Sequence, residues 1–102
     1  MFETKRLKLQ NRLETIIEHV YFQPPDTIIM EYPCIVYNLI SDNGYYANNA
    51  LYKHVLEFQI TVITTDALPN ETMTELLQIE YSRFDRHYVA DHLHHYLFTI
   101  QM

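Results

Sequence analysis

The histidines near the C-terminus are the residues whose type and spacing could do chemistry. The last 21 residues, SRFDRHYVADHLHHYLFTIQM, hold four of the six histidines in the chain. His92 and His94 could share one face of a strand, with His87 or Asp91 opposite, so a metal site is one interpretation of the segment. A zinc site needs three or four converging ligands, and neither an HExxH motif nor a pair of Cys-x-x-Cys motifs is present. The other interpretation is a hydrated β-hairpin whose imidazole rings cover apolar surface.

Catalysis by a nucleophile finds less support in the same segment. Ser82, Asp85 and His87 supply the residue types of a hydrolase, but no G-x-S-x-G elbow surrounds the serine. Asp85 and Arg86 are adjacent in a predicted strand, so they should point to opposite faces and each find a partner elsewhere. Gly44 is the only glycine, which excludes the glycine-rich loops that cradle nucleotides. We therefore expect a protein that is not an enzyme and carries no cofactor.

Composition limits the remaining classes. A length of 102 residues with 48% apolar residues predicts one domain with one core. The net charge of -6 argues against nucleic-acid binding, which depends on clustered Lys and Arg. Cys34 is the single cysteine, so an internal disulfide is excluded and its apolar neighbours predict a buried, unreactive thiol. Neither a signal peptide nor a membrane span is evident, so we expect a soluble, intracellular protein.

Hydrophobic periodicity predicts the order helix, strand, strand, helix, strand, strand. The apolar stripe of residues 3–21 indicates a long N-terminal helix, and residues 34–40 a strand that ends in a tight turn at Asn43-Gly44. Residues 42–53 resemble an exposed arm, residues 54–64 alternate as a strand, and residues 71–80 form a short helix. A hairpin of about residues 83–101 completes the chain. The predicted fold is α+β, with both helices packed on a mostly antiparallel sheet of about four strands.

Three segments together resemble a known family: YPCIVYNL at 32–39, YYANNALY at 45–52 and FDRHYVADHLHHYLFTI at 84–100. They are similar to the tail terminator, or tail completion, proteins of tailed phages and prophages of Gram-positive bacteria. The resemblance covers the chain from about Glu31 to its end. It implies one tail-terminator-like domain over residues 1–102, in which a long N-terminal helix accompanies a mixed or antiparallel sheet that carries one further helix.

The resemblance also implies a function without catalysis. Such proteins form a ring, expected to be a hexamer, that caps the tail tube protein and offers its other face to the head connector or stopper protein. DNA passes through the lumen without specific binding, no membrane is involved, and assembly takes place in the cytoplasm of the bacterial host. The protein is then expected in the virion, at the head-tail junction.

Two segments are candidates for contacts with a neighbouring subunit or the tube. The candidate residues are Tyr45, Tyr46, Asn48, Asn49 and Tyr52 in the arm, and Phe84, Asp85, Arg86 and His87 in the hairpin. Two other interpretations stay open, since the arm tyrosines could fold back on their own sheet and the hairpin charges could form an internal ion pair. At the level of function, the alternatives are an adaptor or stopper of the same connector, a small metal-dependent enzyme, and a monomeric regulator that binds one host protein.

Overall fold

The computed structural model describes residues 2–24, 29–47, 50–79 and 81–102, with side chains for residues 4–24, 29–41, 55–79 and 81–102. The helices and strands in chain order are α1 (Phe2–Glu14), β1 (His19–Phe22), β2 (Cys34–Ala47), β3 (Ala50–Thr64), α2 (Asn70–Leu77), β4 (Ser82–Ala90) and β5 (Leu93–Gln101). The five strands form one sheet in the order β1-β2-β3-β5-β4, in which β1 runs parallel to β2 and every other neighbouring pair is antiparallel.

The predicted fold class is wrong in two respects, because the sheet is mixed with five strands and the N-terminal helix is short. The helix ends at Glu14 and is followed by a single turn, in which the Ile16 and Ile17 backbone N–H groups bond to the carbonyl of Leu13 at 2.9 and 3.0 Å. The Thr15 hydroxyl also donates to the carbonyl of Arg12 at 2.6 Å. The segment HVYF that follows is aromatic and β-branched, and it pairs with β2 from His19 to Phe22. Ile16, Ile17 and Val20 reach the core from a turn and a strand, so their spacing imitated a helical stripe.

A second difference concerns the turn expected at Asn43-Gly44. Strand β2 continues through both residues to Ala47, and Gly44 pairs with His54 of β3. A turn signal can be overridden when the residues on both sides find a full set of cross-strand partners. The two strands therefore form one long hairpin whose connection lies outside the described residues.

The core lies between one face of the sheet and both helices. Alternate residues of the central strands, including Phe58 and Ile60 on β3 and Phe98 on β5, are fully buried there. Leu9 and Leu13 of α1 and Leu76 of α2 join the same cluster. The opposite face of the sheet, called the open face below, carries more polar residues such as Asn38, Gln59 and Arg83. Neither helix of the described chain is long and apolar enough to cross a membrane.

The β2–β3 hairpin extends beyond the rest of the sheet. Strand β1 pairs only with residues 34–37 of β2, and β5 pairs only with residues 57–64 of β3. Beyond those pairs, two backbone hydrogen bonds join Leu56 and Met102, at 2.8 and 2.9 Å. The longest axis of the molecule is 51 Å, and the radius of gyration of 14.8 Å exceeds the roughly 13 Å expected for a compact chain of this length.

Candidate interaction surfaces

The arm, residues 42–53, is the free end of the β2–β3 hairpin. Its strands pair with each other through Tyr45 with Lys53, Tyr46 with Leu51 and Ala47 with Ala50, and a register shift follows Tyr45. The candidate tyrosines Tyr45, Tyr46 and Tyr52 are therefore placed on this two-stranded ribbon by their backbones. Asn48 and Asn49 lie outside the described residues. At about 3.3 Å per residue, the five residues from Asn43 to Ala47 give a ribbon of roughly 17 Å.

Strand β4 is one edge of the sheet, and it is the most exposed strand whose side chains are described. All of its residues from Arg83 to Val89 are exposed, and only its two end residues are partly covered. Its large apolar residues remain open to solvent, with exposed fractions of 41% for Phe84, 40% for Tyr88 and 57% for Val89. Large apolar residues that stay exposed along a sheet edge mark a contact surface or an aggregation hazard.

A β-bulge at Asp85 changes which face each β4 side chain occupies. The register shifts between Phe84 and Arg86, so Asp85 has no direct partner on β5. Asp85 accepts hydrogen bonds from the Thr99 hydroxyl and from Nε of Arg83, the latter at 2.8 Å. Asp85 therefore forms an internal ion pair, which was one of the two interpretations of the hairpin charges. Its partner in that pair is Arg83. Bulges are typical of sheet edges, where they redirect side chains.

The four hairpin candidates do not form one patch. Phe84 packs edge-on against Phe98 on the helix side of the sheet, with ring centroids 5.3 Å apart. Arg86 lies on the open face, where its guanidinium is 5.4 Å from the ring centroid of Tyr88. The bulge therefore places Asp85 and Arg86 on the same face, whereas strict alternation predicted opposite faces.

The electrostatics of Asp85 follow from these contacts. Partial burial raises the pKa of its carboxyl, but the hydrogen bonds from Thr99 and Arg83 and the charge of Arg83 outweigh that effect and lower the pKa below its usual value. The same contacts raise the pKa of the Arg83 guanidinium. Asp85 is therefore a carboxylate held in place by contacts within its own chain.

Two histidines meet across the β4–β5 hairpin on the helix side. His87 Nε2 lies 2.9 Å from His94 Nδ1, and the His87 ring also stacks on Tyr96 with centroids 4.4 Å apart. On the open face, Tyr88 and His95 stack at 4.7 Å. The hairpin therefore carries one stack of rings on each face.

Among the described residues, the pair His87 and His94 is not extended into a larger set of metal ligands. Asp91 and His92 form the two-residue turn between β4 and β5, with φ of 52° and 64°, so His92 does not share a strand face with His94. In the part of the chain that the structure describes, no group of three or more His, Cys, Asp or Glu residues could hold a metal ion.

The residue types of a hydrolase are also kept apart. Ser82 is opposite Ile100 and His87 is opposite Tyr96, four residues away on β5, which corresponds to about 13 Å. Asp85 lies on the other face. These three residues therefore do not form a catalytic triad.

Strand β1 forms the second edge of the sheet, which sequence reasoning missed because it assigned these residues to the helix. His19 Nε2 lies 3.1 Å from a carboxylate oxygen of Glu31, and the Tyr21 hydroxyl accepts a hydrogen bond from the Glu31 backbone N–H at 3.3 Å. A cleft of ≈ 490 Å³ adjoins this edge, between the end of α1, Pro33 and the loop after β3. The β-forming tetrapeptide HVYF was the signal that could have revealed the strand.

No protein-family model matches the chain, and no curated protein matches it.

Proposed function

We propose that the protein is a structural component of a phage virion that forms a ring at the head-tail interface, where it caps the tail tube and joins it to the head connector. It works by shape and complementary contacts between subunits. The ring is a hexamer, and the contacts are with further copies of the chain, the tube protein and a connector or stopper protein. The resemblance of residues 31–102 to tail terminator proteins supports this proposal.

The observation that carries the proposal is the projecting arm. An isolated two-stranded ribbon is at best marginally stable in water, so the end of this hairpin would gain stability from a surface to pack against. The flanking strands β1 and β5 stop short of the arm. Tyr45, Tyr46 and Tyr52 give this ribbon the aromatic composition that is enriched at protein interfaces. A ring component would use such an arm to reach a neighbouring subunit or the last ring of the tube.

The exposed edge strand β4 supports the same proposal. An exposed edge with large apolar residues is a liability for a monomer and an advantage for a subunit of an assembly. Phe84, Tyr88 and Val89 are all at least 40% exposed on this strand. The edge therefore offers a second contact surface, distinct from the arm.

Deletion of the gene from its phage or prophage tests the proposal directly. We expect electron microscopy to find full heads beside unjoined tails, with tubes of abnormal length, and complementation with the intact gene to restore joined virions. Filled heads with no tails attached but tubes of normal length would favour the adaptor or stopper role. Normal infectious virions would overturn every version of the proposal.

A metal-dependent enzyme built on the histidines is the alternative from another class. It predicts stoichiometric zinc that survives dialysis, or loss of the folded state with a chelator. Metal-free folded protein would remove this alternative.

A further inference from the structure

We propose that the two edges of the sheet pair with each other between copies, so that β4 of one subunit lies beside β1 of the next. This inference rests on the proposed ring, and it identifies the two sheet edges whose contact would close that ring. It is a head-to-tail contact between two different edges, which generates a ring when the rotation between subunits closes.

Strand directions are compatible with this pairing. Strand β1 is parallel to β2, β3 is antiparallel to both β2 and β5, and β4 is antiparallel to β5, so β1 and β4 run in opposite directions. Copies placed side by side with the same orientation therefore bring β4 and β1 together as an antiparallel pair. On β1, the Gln23 backbone N–H bonds to the carbonyl of Tyr37, so the backbone groups of the alternate residue Val20 point away from β2, towards the side on which no described strand pairs with β1.

Both edges carry apolar surface that this contact would bury. Strand β4 presents Phe84, Tyr88 and Val89. The segment beside β1 presents Ile29 and Tyr32, which are 90% and 40% exposed. The contacts of Glu31 with His19 and Tyr21 hold this segment against β1. Removal of such side chains from water is the main favourable term in most protein association.

The charges of the two edges are complementary. Arg86 lies on the open face at the β4 edge, and no carboxylate of the described residues pairs with it. Glu31 lies on the same face at the β1 edge, with 72% of its side chain exposed, and among the described side chains its ionic partner is His19. Opposite charges at the two edges favour β4 beside β1, whereas pairing of β4 with a second β4 would bring two Arg86 side chains together.

A charge-exchange experiment on the full chain tests the contact. Analytical ultracentrifugation over a concentration series up to the millimolar range gives the concentration at which half of the protein is assembled. We expect Arg86→Glu and Glu31→Arg each to raise this concentration about tenfold or more, because each replaces an attraction with a like-charge repulsion. In the double variant, the concentration for half-assembly should return to within about twofold of its value in the unchanged protein.

Arg12→Glu is the matched control, since it makes the same charge change at an exposed position on α1, and it should leave assembly unchanged. Circular dichroism confirms that each variant is folded. A protein that stays monomeric throughout the series, a two-fold dimer, or single variants whose defects add in the double variant would each overturn the edge contact. The gene deletion tests the proposed function independently of this contact. If the deletion gives unjoined tails but the charge exchange does not restore assembly, the proposed ring stands and its subunits contact each other through other surfaces.

Discussion

The hydroxyl of Thr99 donates a hydrogen bond to the carboxylate of Asp85 across the β4–β5 hairpin. Thr99 is buried with 4% of its surface exposed, and Asp85 is the bulged residue of the edge strand. The bond therefore fixes the position of the bulge, and with it the face on which Arg86 emerges. One buried hydroxyl thus controls the presentation of a surface charge.

Asp85 should make stability depend on acid pH. A carboxyl with a lowered pKa in the folded state stabilises that state above the pKa of the unfolded chain, near the ordinary value of 3.8, and this contribution is lost as the pH falls through the folded pKa. We expect Asp85→Asn to lower the free energy of unfolding by about 1 kcal/mol at neutral pH. The difference should shrink below about pH 4. Urea unfolding at several pH values measures it.

The exposed turn carboxylate Asp91 provides the control for that series. Asp91→Asn keeps a side chain that tolerates a positive φ, so its unfolding free energy should follow that of the unchanged protein. A pH-independent difference between Asp85→Asn and the unchanged protein would contradict the assigned hydrogen bonds.

Tyr37 should tie helix α1 to the sheet. Its hydroxyl donates to the Gln10 side chain and accepts from Arg6 Nη1 at 3.4 Å. We expect Tyr37→Phe to lower the free energy of unfolding by about 1 kcal/mol, because Gln10 and Arg6 each lose one hydrogen bond to the sheet. Tyr21→Phe, which removes the hydroxyl that accepts a bond from Glu31, is a more exposed comparison and should cost about 0.5 kcal/mol or less. Equal effects would contradict a special role for Tyr37.

Phe98 should contribute more to the free energy of unfolding than Phe84, the residue whose ring it contacts. Phe98 is fully buried, so Phe98→Ala leaves a cavity and should cost about 3–5 kcal/mol. That loss approaches the whole stability of a small domain, which is often only about 5 kcal/mol. Phe84→Ala should cost about 1 kcal/mol, because Phe84 is 41% exposed. Thermal and urea unfolding compare the two, and a smaller effect for Phe98→Ala would contradict the assigned core.

Cys34 should be unreactive in the folded protein. Burial raises the pKa of its thiol from 9.0 to about 11, which lowers the thiolate fraction at pH 8 about a hundredfold. We expect a thiol reagent such as DTNB to label the native protein far more slowly than protein unfolded in urea. Equal rates would mean that the residue is open to solvent.

The sequence by itself determined the existence of alternating strands, the burial of Cys34 and the absence of recognisable catalytic motifs, because these depend on local residue type and period. Residues 54–64, for example, alternate in sequence and form most of β3. Tertiary structure decided the features that depend on distant partners. HVYF became a strand because β2 was available to pair with it, and Asn43-Gly44 stayed extended because β3 lay opposite.

For the candidate surfaces too, some features followed from residue type and others only from the pairing of the strands. Residue types drew attention to the hairpin, but they could not predict the bulge at Asp85, since the register depends on Thr99 and the rest of β5. The pairing of His87 with His94 and the placement of Arg86 and Glu31 at opposite edges also required the strand order. Local patterns specify which residues prefer strands, whereas cross-strand contacts decide the order, the register and therefore the surface.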